Sequence, residues 1–215
     1  MKNRKVILAR RAALAARLDP MSNVEAFEES CLPAYCHPNP LSAAISWWRL
    51  ATAADLLRRY AAQGPILDFG ASTGELAHLI GRPVDYSFVE VDEKLAAALV
   101  EWNPRARRER LETLGTERFA AVLALDSLEH NDDLPALVTP LAASLRAGGV
   151  LVVSGPTESA LYRLGRRISG FSGHYHKQTV YDVEAAVAAR LTMEHVTRIP
   201  PLSPLFRLSV WRKLH

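Results

Sequence analysis

Residues 66–76 read ILDFGASTGEL, the pattern of a short buried strand, a tight turn and the start of a helix. Gly70 and Gly74 bracket the turn, and glycine permits the backbone conformations that such a turn requires. A dinucleotide-binding G-x-G-x-x-G sequence would need glycine in place of Ser72 and Glu75, and no Gly-Lys-Ser/Thr of a P-loop follows. Because Glu75 also adds a negative charge where a pyrophosphate would bind, the stretch predicts a phosphate-free ligand that carries positive charge.

Around this stretch, continuous apolar runs alternate with helical patterns, which is typical of a parallel sheet covered by helices on both faces. Residues 192–199 and 205–213 form two further strands, and apolar and polar residues alternate in the second, which predicts an antiparallel hairpin. The predicted fold class is α/β, a doubly wound Rossmann-like sheet with an antiparallel C-terminal hairpin. The predicted parallel strands are PILDF (65–69), YSFVEV (86–91), FAAVLAL (119–125) and VLVVSG (150–155).

The composition is that of an ordinary globular chain. Its 215 residues are 49% hydrophobic, enough for one large core, and the small net charge of +3 leads us to expect no nucleic-acid partner. The two cysteines, in CLPAYCH (31–37), have no second Cys/His pair nearby, so we expect reduced thiols and no metal site. No apolar run could span a membrane and no secretory signal is present, so we expect a cytoplasmic protein.

Four segments together resemble one family. ILDFGASTGEL resembles the first motif, D-x-G-x-G-x-G, of class I S-adenosylmethionine-dependent methyltransferases, with Ser72 in place of the middle glycine. VEVDEKLAAAL (89–99) resembles the second-strand motif, with Asp92 at the acidic position. Residues 119–157, which include the letters LEH, are similar to the block from the fourth to the fifth strand. GHYHKQTVYDVEAAV (173–187) is similar to the start of the family's last helix.

The resemblance implies S-adenosyl-L-methionine as cofactor and assigns its contacts. Asp68 would hold the ammonium group and Asp92 would accept the ribose hydroxyls, whereas Glu112 would contact the adenine. The alternative for Asp68 is a structural carboxylate that accepts from backbone N–H groups, and the alternative for Asp92 is a helix N-cap. The implied cofactor-binding residues are Asp68, Gly70, Ala71, Ser72, Gly74, Asp92, Glu93, Glu112, Leu125 and Asp126.

The resemblance also divides the chain. It implies a single methyltransferase domain over residues 46–215, preceded by an N-terminal extension of helix and loop over residues 1–45. The prolines of residues 31–40 predict a loop within that extension. Residues 156–178 are predicted to be an insertion on the substrate side.

The predicted reaction is methyl transfer to an oxygen, in preference to nitrogen or carbon, of a small-molecule or glycan- or lipid-linked acceptor. Histidine suits removal of a hydroxyl proton because its usual pKa is about 6.5. His130 and His174 are the candidate bases, and a structural hydrogen-bonded histidine is the alternative for each. The basic N-terminal helix and the basic segment 159–177 suggest weak contact with a membrane surface, with a solvated basic face as the alternative. A second hypothesis is a non-catalytic module of the same fold that binds the cofactor or a partner protein.

Overall fold

The structure of the protein is a computed structural model that describes residues 3–27, 30–81, 83–159, 162–163 and 177–214. Seven strands form one sheet and seven α-helices pack around it in the described part of the chain. The strands are β1 (Ile66–Phe69), β2 (Tyr86–Val89), β3 (Arg107–Arg108), β4 (Phe119–Leu125), β5 (Leu145–Pro156), β6 (Thr192–Ile199) and β7 (Phe206–Arg212). The helices are α1 (Arg4–Leu18), α2 (Leu32–Cys36), α3 (Pro40–Tyr60), α4 (Glu75–Ile80), α5 (Glu93–Trp102), α6 (Leu134–Ser144) and α7 (Val180–Ala188).

The strand order is β3-β2-β1-β4-β5-β7-β6. The strands from β3 to β5 pair in parallel, and β7 pairs antiparallel with both β5 and β6. The predicted fold class, a doubly wound Rossmann-like sheet with an antiparallel C-terminal hairpin, is therefore confirmed.

The first predicted strand lies at the centre of this sheet. All four residues of β1 are buried, and β1 pairs with β2 on one side and β4 on the other. The chain winds outward from β1 through β2 to β3 and then returns to begin the other half at β4. The winding therefore reverses between β1 and β4, and ligands bind beyond the carboxyl ends of the strands at such a point.

Helices cover both faces of the sheet because neighbouring residues of the buried strands point to opposite sides. Leu123 of β4 belongs to the hydrophobic core under α3, whereas Val122 belongs to the core under α6 and α7. Leu14 of α1 and Leu32 of α2 are completely buried in the first of these cores. The N-terminal helices are thus packed on the sheet through the same core as the central strands. None of the helices in the described ranges is both long and apolar enough to cross a membrane.

The prediction of a loop over residues 31–40 is wrong. Residues 32–36 form α2, and α3 begins at Pro40, so α3 runs across the predicted boundary between residues 45 and 46. Pro33 and Pro40 both lie in the first turn of a helix, where the missing proline N–H would have no intrahelical partner. Asn39 caps α3, and its side-chain oxygen accepts from the backbone N–H of Leu41 at 2.9 Å. Proline here begins helices rather than ending them.

Candidate functional site

A cavity of about 500 Å³ opens at the carboxyl ends of β1, β2 and β4, where the winding reverses. The turn after β1, the end of β2 and the loop after β4 form its floor, and residues before α3 form one wall. Its size is that of a typical small-molecule site. The lining residues are Ala26, Phe27, Ser30, Cys31, Tyr35, Leu50, Asp68, Phe69, Gly70, Ala71, Ser72, Glu75, Leu76, Val89, Glu90, Val91, Asp92, Leu95, Leu125, Asp126, Ser127, His130 and Asn131.

The turn of residues 70–74 crosses the end of the sheet in left-handed conformations. The φ angles are +70° at Gly70, +50° at Ser72 and +75° at Gly74. The N–H groups of Gly70 and Ala71 both donate to the carbonyl oxygen of Val89, at 2.9 and 3.2 Å, which fixes the turn against the end of β2. Ser72 adopts positive φ without being glycine, and its buried hydroxyl has no hydrogen-bond partner in the structure. The turn is therefore attached to the end of β2 and leaves one buried polar atom for a ligand.

The acidic residue that faces this turn is Glu90, not Asp92. Strand β2 ends at Val89, and the Glu90 carboxylate accepts from the N–H of Ser72 at 2.7 Å and from the N–H of Asp92 at 2.9 Å. The Asp92 carboxylate instead caps α5, where it accepts from the N–H groups of Lys94 and Leu95 at 2.7 and 3.1 Å. Asp92 lines the cavity, but its side chain serves as the helix N-cap, the alternative interpretation. The acid that lies against the glycine turn is therefore Glu90, and the predicted ribose contact of Asp92 stays a prediction.

Asp68 lies on β1 at the bottom of the cavity and is 4% exposed. Burial raises its pKa to about 7; the hydrogen bond from Tyr86 opposes this shift, and the nearby Glu90 adds to it. The Tyr86 hydroxyl donates to Asp68 Oδ2 at 2.5 Å. The alternative in which Asp68 caps backbone N–H groups is not what the structure shows, because its hydrogen-bond partner is this tyrosine side chain.

The loop after β4 places an ion pair against the opposite side of the cavity. Asp126, predicted to lie on the methionine side, pairs with the buried guanidinium of Arg49, and the Ser154 hydroxyl donates to its Oδ1 at 2.5 Å. Arg49 also donates to the Tyr35 hydroxyl at 3.1 Å and to Cys31 Sγ at 3.3 Å. Arg49 thus joins the N-terminal wall of the cavity to the loop after β4.

His130, one of the two candidate bases, lines the cavity with Ser127 and Asn131. Glu129, immediately before it, is 1% exposed, and burial raises its pKa to about 7 against the opposing effects of its own backbone N–H and of Arg49. Oε1 of Glu129 is buried and has no hydrogen-bond partner among the residues that the structure describes. His174, the other candidate, lies outside the described residues.

Three predicted cofactor contacts, Gly74, Glu93 and Glu112, are absent from the cavity lining. Glu93 is exposed on α5, and its carboxylate pairs with Arg108 at 2.7 and 2.9 Å, which lowers its pKa. Glu112 is exposed on a 3₁₀ turn (Leu111–Thr113) and is also absent from the cavity lining. The third strand ends at Arg108, four residues before Glu112. The predicted cofactor contacts of Glu93 and Glu112 therefore have no support from the cavity geometry and stay predictions.

No local sequence pattern indicated the N-terminal wall of the cavity. Phe27, Ser30, Cys31 and Tyr35 line the cavity although they lie in the extension rather than beside any recognised motif. Arg10 of α1 forms a two-pronged ion pair with Glu75, directly after the glycine turn. Contacts of this kind join residues far apart in sequence, so no local pattern could have identified them.

The fold and the site together define a Rossmann-like α/β protein with an acidic ligand cavity beside a glycine turn. A sequence model of the family described as "Methyltransferase domain" matches residues 47–196. The chain therefore belongs to this methyltransferase family. The family and the enzyme class predicted from the sequence, the class I S-adenosylmethionine-dependent methyltransferases, are confirmed.

Solved structures agree in fold. The N-methyltransferase NodS from Bradyrhizobium japonicum, in complex with S-adenosyl-L-homocysteine, is 14% identical with a TM-score of 0.68, and the match covers 90% of this chain and 98% of NodS. A TehB-like S-adenosylmethionine-dependent methyltransferase from Corynebacterium glutamicum is 19% identical with a TM-score of 0.58, and the match covers 79% of this chain and 95% of that one. A comparison with curated proteins gives no match.

Proposed function

We propose that this chain transfers the methyl group of S-adenosyl-L-methionine to an oxygen atom of a small-molecule or glycan-type acceptor. The observation that supports the donor best is the charge of the cavity. Among the described residues that line it, five are acidic and none is lysine or arginine. Two of the five, Glu75 and Asp126, are neutralised by Arg10 and Arg49 from behind the lining. Glu90 and Asp92, together with Asp68 in its ionised form, favour a cation over a phosphate.

The residues present fit S-adenosyl-L-methionine. Glu90, at the end of β2 and against the glycine turn, would accept the two ribose hydroxyls. Asp68 would receive the ammonium group, which favours the ionised form of a carboxyl group whose pKa is about 7 in the free protein. The Ser72 hydroxyl, buried and unpaired, would gain a partner. Leu125 would lie along the methionine chain.

The bound cofactor supplies an electrophilic methyl group on a sulfonium centre, and a neutral thioether is the leaving group. The protein therefore mainly orients the acceptor, and correct orientation can account for about 7–11 kcal/mol of a reaction barrier. His130 at the cavity lining would remove the proton of the acceptor hydroxyl. Tyr35 and Phe27, opposite the loop after β4, would enclose the acceptor from the N-terminal wall.

The donor site is tested by S-adenosyl-L-homocysteine binding to two variants, measured by calorimetric titration. Glu90→Gln removes a charged acceptor of the ribose hydroxyls, and hydrogen bonds to charged groups contribute about 1.5–3 kcal/mol. We expect affinity to fall about tenfold to a hundredfold. Asp92→Ala should instead lower the free energy of unfolding by about 1 kcal/mol, the usual cost of losing an N-cap, and change the affinity much less. If Asp92→Ala weakens binding more than Glu90→Gln does, the ribose assignment belongs to Asp92 after all.

The base is tested by turnover. S-adenosyl-L-homocysteine formation from the cofactor should rise when fractions of a small-molecule extract are added, and the active fraction then serves as the acceptor. His130→Gln should reduce kcat by about 10²–10⁴-fold, as expected for loss of a general base, with cofactor affinity unchanged. His195→Gln is the matched control, because His195 stacks on Tyr60 away from the cavity. Full turnover by His130→Gln would show that His130 is not the base, and no turnover with any fraction would favour the non-catalytic module.

A further inference from the structure

Arg10 and Glu75 form a buried ion pair between the N-terminal helix and the glycine turn. Nε of Arg10 donates to Oε2 of Glu75 at 3.0 Å, and Nη2 donates to Oε1 at 2.8 Å. The two side chains are 11% and 2% exposed. The guanidinium also lies 4.3 Å from the centre of the Trp102 ring at the end of α5. A single arginine of α1 therefore contacts both of the helices that follow β1 and β2.

Glu75 is held in one position by these contacts. The Thr73 hydroxyl donates to its Oε1 at 3.1 Å, in addition to the two bonds from Arg10. Both carboxylate oxygens are thus engaged by the protein, although Glu75 lines the cavity. A buried, ionised carboxylate without a partner is strongly unfavourable. If Arg10 were absent, the Glu75 side chain would have to leave its position, and the adjoining turn would move with it.

We propose that Arg10 is a positioning residue of the cofactor site, which acts through Glu75 to hold the Gly70–Gly74 turn in its binding conformation; this inference rests on the proposed function. The N-terminal helix is then part of the binding site without contacting the cofactor. Because coupling between two binding events is reciprocal, the cofactor should in turn strengthen the docking of α1 on the domain.

Variants of the full chain test this proposal with S-adenosyl-L-homocysteine as the probe, titrated by calorimetry at a temperature where each variant is folded. Arg10→Ala should weaken binding by about 5- to 150-fold, the usual range of such coupling. Arg10→Lys, which keeps the charge but loses the two-pronged geometry, should give an intermediate loss. Arg10→Ala combined with Glu75→Gln should recover most of the affinity, because the unpaired buried charge is gone.

The matched control is Arg17→Ala. Arg17 lies on the same helix and pairs with Glu101 at 3.2 Å, but both side chains are more than half exposed, so we expect unchanged binding. The proposal is overturned if Arg10→Ala binds the probe as tightly as the unmodified chain. It is also overturned if the double variant binds as weakly as Arg10→Ala, because Arg10 would then not act through the charge of Glu75. Failure of the unmodified chain to bind the probe would instead refute the proposed function, and this proposal with it.

Discussion

Replacing Arg49 with alanine is expected to lower the free energy of unfolding by about 3–5 kcal/mol, the usual cost of leaving one member of a buried ion pair without its partner. Arg49 is 2% exposed and pairs with Asp126, whose side chain is 8% exposed. The guanidinium also lies 4.9 Å from the centre of the Phe206 ring. Without Arg49, the Asp126 carboxylate is left uncompensated and the N-terminal wall loses its link to the loop after β4, so cofactor binding should weaken together with stability.

Urea unfolding of purified variants measures the first effect. Arg59→Ala is the matched control on the same helix, because its guanidinium is exposed over Tyr60, and we expect a loss of less than about 1 kcal/mol. Arg49→Met combined with Asp126→Asn removes both charges and should be more stable than Arg49→Ala. Asn also tolerates the φ of +51° that Asp126 adopts. If Arg49→Ala does not fold, Arg49→Lys provides the measurement. A loss no larger than that of the control would show that the pair is not stabilising.

Most of the sheet could be predicted because its signals are local. The four buried residues of β1 are adjacent in sequence and are followed at once by the glycines that the turn needs. The hairpin of β6 and β7 was likewise predicted from the alternation of apolar and polar residues in 205–213. Patterns within one strand or turn are sufficient to place these elements. They do not settle burial in β7, where Ser209 and Trp211 are as buried as Leu208 and Val210 although the alternation predicts one exposed face.

The sequence did not distinguish Glu90 from Asp92 as the acid that faces the turn, because the two acids stand two residues apart at a strand end. In the sequence, Glu90 and Asp92 are both followed by residues that could begin a helix. The strand stops at Val89 because its carbonyl oxygen binds the N–H groups of Gly70 and Ala71, a contact across two strands that the sequence of 86–92 does not contain. The sequence does contain a signal for an N-cap at Asp92, since an aspartate that directly precedes a helical run is a common N-cap. That signal could have separated the two roles.

The ion pairs behind the cavity could not be predicted at all. Arg10 is 65 residues from Glu75, and Arg49 is 77 residues from Asp126. In the sequence, Arg10 is one of several basic residues of an N-terminal helix, and nothing distinguishes it from Arg17 or from the exposed arginines of α3. Only the packing of α1 and α3 against the sheet decides which arginine is buried beside a carboxylate, and that packing depends on the whole core.

Replacing Gly70 with alanine is expected to lower the free energy of unfolding by about 2–5 kcal/mol and to make S-adenosyl-L-homocysteine binding too weak to measure. A Cβ atom on Gly70 would lie 2.4 Å from Cβ of Ser127, too close for any rotation to relieve. Ser127 cannot easily move, because its hydroxyl donates to the carbonyl oxygen of Phe69 at 2.9 Å. The turn must therefore shift away from the loop after β4, and the positions of Ser72 and Glu90 shift with it.

Gly148→Ala separates this contact from backbone strain. Gly148 has nearly the same φ, +71°, but a Cβ atom there would meet nothing within 4 Å. Gly148→Ala should lower the free energy of unfolding by only about 1–2 kcal/mol, the strain of an alanine in the left-handed conformation, and leave S-adenosyl-L-homocysteine binding unchanged. Gly70→Ala combined with Ser127→Gly removes the opposing Cβ and should recover measurable binding, because only the strain then remains. Equal losses of stability in Gly70→Ala and Gly148→Ala, with binding retained in both, would mean that the turn can shift without harm and that the close approach of the two loops does not shape the site.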